Sequence, residues 1–160
     1  MVGFIVIGVV LLVICLLPNS AEWITSQGVL VRMGLHHFFH SNIFHLAANM
    51  LPLYVMRKYV KVWQVLVGYI IASLSILVTP LSVIGFSNMI YALIGLRSPS
   101  FDSRWWRHSG TIIFLVVTFA MLFMPRVSAV THIVSFTAGV AISAIVRQFK
   151  KIQNDCARYL

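Results

Sequence analysis

The feature that most constrains this chain is its alternation of apolar runs with proline or basic breaks. Apolar runs cover residues 2–17, 43–55, 62–78, 87–96, 111–124 and 129–146, and the breaks that close them include Pro18, Arg57-Lys58, Pro80, Arg97, Pro125-Arg126 and Arg147. Sixty per cent of the residues are hydrophobic and only 9% are charged. A soluble domain carries about a quarter charged residues, so the composition is that of a polytopic membrane protein. In hydrocarbon each run must satisfy its own backbone hydrogen bonds, which favours helices. The expectation is an all-α bundle of six transmembrane helices. No repeat or linker divides it, so residues 1–160 read as one membrane domain with a short basic tail from about 148.

The net charge of +9 is distributed as a topology signal. Of the twelve Lys and Arg residues, ten (Arg57, Lys58, Lys61, Arg97, Arg104, Arg107, Arg147, Lys150, Lys151 and Arg158) follow the second, fourth and sixth runs. Only Arg32 and Arg126 fall on the opposite side. The positive-inside rule then places both termini in the cytoplasm, with the plasma (inner) membrane as the expected location. No continuous basic face with interleaved aromatics is present, so nucleic acid is not an expected partner.

The three acidic residues, Glu22, Asp102 and Asp155, are too few for paired-aspartate chemistry within the membrane, and no His-Glu-x-x-His occurs. Cys15 and Cys156 lie at different depths or on different sides, so no disulfide is expected. The first run lacks a basic leader and reads as an anchor rather than a cleaved signal. Residues 19–39, of mixed polarity and containing Gly28 and Gly34, read as a loop with interfacial pieces. Trp23 suits headgroup level, as does the Trp105-Trp106 pair between arginines.

Polar groups inside apolar runs are costly, and four stand out. Ser87 follows Gly85-Phe86 at the head of a run that ends ten residues later at Arg97. A helix rises about 1.5 Å per residue, so Ser87 would lie ~15 Å above that charge, near the middle of a ~30 Å hydrocarbon core. His45 and Asn49 are four apart and share a helix face. His132 sits near the start of the sixth run, followed by Ser135 and Gly139.

Taken singly each has a structural reading. A serine at a helix start is more often a cap than a nucleophile, and a His or Asn in a span is often interhelical glue. His36, His37, His40 and His45 could form a metal cluster, but no Cys or carboxylate completes it, so neither metal nor other cofactor is expected. Together the four polar groups fit one site: Ser87 is reached from the outer side, His132 and His45 lie in the outer halves of their runs, and with Asn49 the four can meet in one outward-opening cavity. Nucleophile, base and two oxyanion donors are the parts acyl transfer requires.

These residues carry a resemblance. Gly85-x-Ser87 with Tyr91 and Ala92-Leu93-x-Gly95, preceded by His40-x4-His45-x3-Asn49 and followed by His132 and Gly139, resembles the rhomboid intramembrane serine proteases in content and order. The resemblance implies Ser87 as nucleophile, His132 as its base and Tyr91 stacked on the imidazole. It implies His45 and Asn49, with the Ser87 backbone N–H, as oxyanion donors, and transmembrane segments of other membrane proteins as substrates within membrane lipid. His37, expected in the outer loop, would have no part in it. Three features depart from the family pattern: Asn88 and Ser135 stand where glycines are usual, and the first loop lacks the Trp-Arg pair. They keep open the alternative of a catalytically inactive rhomboid-fold protein that binds or escorts membrane helices.

Overall fold

A computed structural model describes residues 2–78, 84–97 and 128–158. Seven α-helices occur among the described residues: α1 Val2–Leu16, α2 Ser20–Ser26, α3 Val29–Leu35, α4 Ile43–Met56, α5 Val62–Ser75, α6 Ser87–Arg97 and α7 Ala129–Ala157. One-turn 3-10 segments add His36–Phe38 before α4 and Ile76–Val78 after α5. The fifth apolar run, Trp105-Trp106, Asp102 and Arg126 lie outside the described residues.

α1 stops where Pro18 would remove the next amide donor. Asn19 then takes the left-handed conformation, φ 56°, which asparagine tolerates better than most residues. Through this corner α1 and α2 are bent by 84°. The 19–39 region is therefore more ordered than the loop expected of it. It folds as two seven-residue helices separated by Gly28, too short for their periodicity to show in sequence. Two contacts pin it down: Trp23 meets Phe39 with centroids 5.6 Å apart, and the Tyr69 hydroxyl on α5 donates to the Gly34 carbonyl.

α4 starts at Asn42, whose side chain accepts from the His45 amide at 2.9 Å, satisfying one of the orphan donors of a helix start. Ser128 caps α7 in the same way by accepting from the Thr131 amide at 3.3 Å. Beyond residue 146, where the span was expected to end, α7 continues to Ala157. No glycine or proline interrupts that stretch, and Arg, Gln, Lys and Ala favour helix. Its 29 residues span roughly 43 Å, more than a hydrocarbon core needs. Among the described residues α7 is the only unbroken helix long and apolar enough to cross a membrane, and α4 and α5 are shorter apolar helices.

The burial pattern of α7 is inverted relative to a soluble helix. Its buried residues are Thr131, His132, Ser135, Gly139 and Ser143, whereas Val130, Ile133 and Ile145 are exposed. Small and polar residues inward with aliphatics outward is the pattern of a helix packed in lipid.

The inner side of α7 lies on α6, which is enclosed along most of its length. The two backbones touch. A Cβ built on Gly95 would lie 2.2 Å from the Phe136 carbonyl oxygen, and one on Gly139 would lie 2.3 Å from that of Ala92. Ser87 meets His132 at one end and Gly95 meets Gly139 two turns on, so the helices run in the same direction. α5 closes on the other side of α6 through Gly68, against Leu93, and α1 packs on α4 with Gly8 against Met50. Leu11, Leu46, Met56, Ala72, Phe86, Met89, Ile90 and Leu93 are among the residues that fill the centre.

Candidate active site

The approach to Ser87 is fixed from both sides. Gly85 has φ +97°, a backbone conformation that L side chains rarely adopt. Its amide donates to the His36 carbonyl at 2.8 Å, tying the turn before α6 to the 3-10 segment. Phe86 is buried among the rings of His37, Phe38 and His40, at centroid distances of 6.4, 5.9 and 5.9 Å. The serine therefore leaves a clamped turn and enters a helix start, with its side chain held in one direction.

That direction is toward α7. His132 Nε2 lies 2.9 Å from Ser87 Oγ, within hydrogen-bond reach of a general base and its nucleophile. Tyr91, one turn along α6 from Ser87, stacks on the imidazole with centroids 4.3 Å apart and planes 16° apart. His132 Nδ1 is buried and has no hydrogen-bond partner among the described residues. The ring is thus positioned by stacking and by the serine, with no carboxylate behind it among those residues. For Nε2 to accept the serine proton, Nδ1 must carry the ring's own hydrogen.

His45 and Asn49 converge on the same turn from α4. A Cβ built on Gly85 would lie 3.0 Å from His45 Nε2 and 3.1 Å from Asn49 Nδ2. His45 Nε2 and the Asn49 side-chain amide therefore face one point beside the backbone, two residues before Ser87. Only a residue without a side chain leaves them room. The structure thus brings Ser87, His132 and Tyr91 together, and sets His45 and Asn49 around the adjoining Gly85.

Asn88 and Ser135 are fully buried. Asn88 stands four residues before Ala92 and seven before Gly95, on the α6 face that meets α7. Ser135 is three residues after His132 and four before Gly139 on the opposing helix. Neither polar atom of the Asn88 side chain, nor the Ser135 hydroxyl, has a partner among the described residues.

His37 corrects an expectation: it is buried rather than lying out in the loop. Its Nε2 bonds the Ser73 hydroxyl at 3.0 Å, and its ring lies against that of His36 with centroids 3.8 Å apart and planes tilted by 40°. The His36 carbonyl that holds Gly85 was equally hidden from the sequence, because any residue has a carbonyl. Among the described residues no three His, Cys, Asp or Glu side chains gather to hold a metal ion.

Burial keeps the three histidines ahead of α4 neutral. It lowers His36 from about 6.5 to about 4, with Nδ1 donating to the Arg32 carbonyl at 2.8 Å. His37 is lowered to about 2, by burial and then by neighbouring His36, and His40 to about 3, by burial and then by His45. The unfolded chain thus binds more protons than the folded one below about pH 6.5. Stability should be constant above that value and fall as pH drops toward 4. A melting series in detergent between pH 8 and 4 checks this, and an unchanged melting temperature down to pH 4 would contradict it.

In comparison with protein families, a rhomboid domain model matches residues 27–149, well over half of the chain. The chain belongs to the rhomboid family. It is accordingly an integral membrane protein built as a helical bundle, in a family that includes intramembrane serine proteases. No curated protein and no solved structure gives a match. The matched span begins just before α3 and ends within the extension of α7, so all five residues of this rhomboid's candidate site lie inside it.

Proposed function

We propose that this rhomboid is an intramembrane serine endopeptidase, with residues 1–160 forming one domain of six spans and both termini in the cytoplasm of the plasma (inner) membrane. The observation that carries the reading is the 2.9 Å approach of Ser87 Oγ to His132 Nε2 beneath a stacked Tyr91. In the reaction, His132 takes the Ser87 proton as Oγ attacks the scissile carbonyl carbon. Negative charge then develops on the carbonyl oxygen, where His45, Asn49 and the Ser87 amide donate to it. His132 passes the proton to the leaving amine, the peptide bond breaks and an acyl-enzyme remains. Water admitted from the outer face, activated by the same imidazole, hydrolyses the ester and restores Ser87.

Substrates are transmembrane segments of other membrane proteins, or their outer margins, reached within membrane lipid. A helical backbone hides its carbonyls, so the cut segment must unwind locally, favouring small or helix-breaking residues near the cleavage point. The test is cleavage of a single-span substrate by the purified protein in detergent: Ser87→Ala should abolish it, and persistent cleavage would remove the nucleophile assignment.

The unpartnered, buried side chains of Asn88 and Ser135 beside the dyad favour a second reading, a rhomboid that binds membrane helices without cutting them. Intact substrate recovered in stable complex with wild-type protein, with no cleavage, would support it.

A further inference from the structure

His45 can serve as an oxyanion donor only in the tautomer that carries its hydrogen on Nε2, the nitrogen beside Gly85. Its other nitrogen, Nδ1, lies 3.2 Å from the hydroxyl of Ser41, four residues earlier. The helix cap supports one direction for that bond, the hydroxyl donating to the ring. Asn42 uses Oδ1 to accept from the His45 amide at 2.9 Å, so its other terminus is the NH2 group. That Nδ2 faces Ser41 Oγ at 3.5 Å, a long contact in which the amide can only donate. Ser41 Oγ therefore accepts from Asn42, and its own proton is free to go to His45 Nδ1. Donation in that direction, from Asn42 through Ser41 to the imidazole, leaves the ring hydrogen on Nε2.

We propose that Ser41 is a positioning residue that holds His45 in the Nε2–H tautomer and in the ring orientation that faces the scissile carbonyl oxygen. The inference rests on the protease reading for its effect on rate, though the hydrogen bond itself does not. Ser41 is exposed, just ahead of the α4 cap, and no packed side chain is lost when it is shortened. A hydroxyl accepting from a cap and donating to a ring also polarises the ring, which strengthens the N–H at the far nitrogen.

Two measurements test it. In the first, kcat and KM are determined for Ser41→Ala and Ser41→Thr, in wild-type and His45→Ala backgrounds. Ser41→Ala should lower kcat roughly tenfold, short of the 10²–10³ expected for losing a donor outright, and leave KM unchanged. Ser41→Thr, which keeps the hydroxyl, should restore the rate, and Ser41→Ala should add nothing once His45 is absent. An unchanged kcat in Ser41→Ala, or an equal loss in the His45→Ala background, overturns the proposal while leaving the Ser87 chemistry intact.

The second measurement needs no substrate. In nitrogen-15 histidine-labelled protein, with the His45 signals identified by His45→Ala, wild type should show a protonated Nε2 and an accepting Nδ1. Ser41→Ala should move the Nδ1 resonance. A His45 spectrum insensitive to Ser41→Ala overturns the proposal whether or not the protein proves to be a protease.

Discussion

Gly139→Ala should destroy the dyad without touching it. A Cβ at this position would lie 2.3 Å from the Ala92 carbonyl oxygen and 2.9 Å from the Leu96 amide nitrogen. Both neighbours are backbone atoms of α6, so no rotamer change relieves the clash and the helices must separate. Reaching an ordinary contact takes about 1 Å. Overpacking of this kind typically costs about 1–3 kcal/mol. The functional loss should exceed the stability loss, because Ser87 and His132 sit on opposite sides of the same seam. A misplacement of about 1 Å can cost on the order of 10²-fold in rate. Melting temperature and cleavage rate per folded molecule, measured together, check this. Gly34→Ala is the control: nothing lies within 4 Å of a Cβ built there, and alanine is the better residue inside a helix. Equal activity in Gly139→Ala and Gly34→Ala would refute the close-seam account.

His45→Ala and Asn49→Ala should each lower kcat by up to roughly 10²–10³, the cost of one oxyanion donor, and less where the remaining donors compensate. The two losses should be less than additive when combined, because both donors serve one charge. If these side chains only bind helices together, Asn49→Ala should instead lower stability and leave the rate per folded molecule unchanged. The distinction is sharp for Asn49, which is buried with no hydrogen-bond partner for Nδ2 among the described residues. A donor held ready for a charge that forms only during reaction would have that appearance. His37→Ala is no longer a neutral control, since its ring packs on Phe86 and bonds Ser73. Unchanged kcat in both His45→Ala and Asn49→Ala would eliminate the oxyanion roles.

What the sequence revealed and what it hid divide along physical lines. The helix limits at Leu16 and Met56 lie within two residues of breaks visible as proline or basic residues, because those residues stop helices or resist burial. Ser87, His45, Asn49 and His132 stood out because a polar group in an apolar run needs a reason. The short helices α2 and α3 did not show, since two turns carry too little periodicity. The extension of α7 was obscured by its charge, which marks the membrane edge but does not end a helix. Contacts made through backbone atoms, such as the His36 carbonyl on Gly85, leave no residue-type signature at all. The burial of His37 depended on Ser73, 36 residues away, and no local pattern could have announced that pairing.

The account stands on Ser87 being a nucleophile activated by His132, and a fluorophosphonate probe reads that directly. The probe forms a stable adduct only with a serine whose proton has been removed by a neighbouring base, and it requires no knowledge of the substrate. Folded wild-type protein in detergent should label at Ser87, and labelling should be lost in Ser87→Ala and reduced to background in His132→Ala. Both variants should keep the wild-type melting profile to within a few degrees. Absence of labelling in folded wild-type protein, or labelling that survives in His132→Ala, would contradict the account.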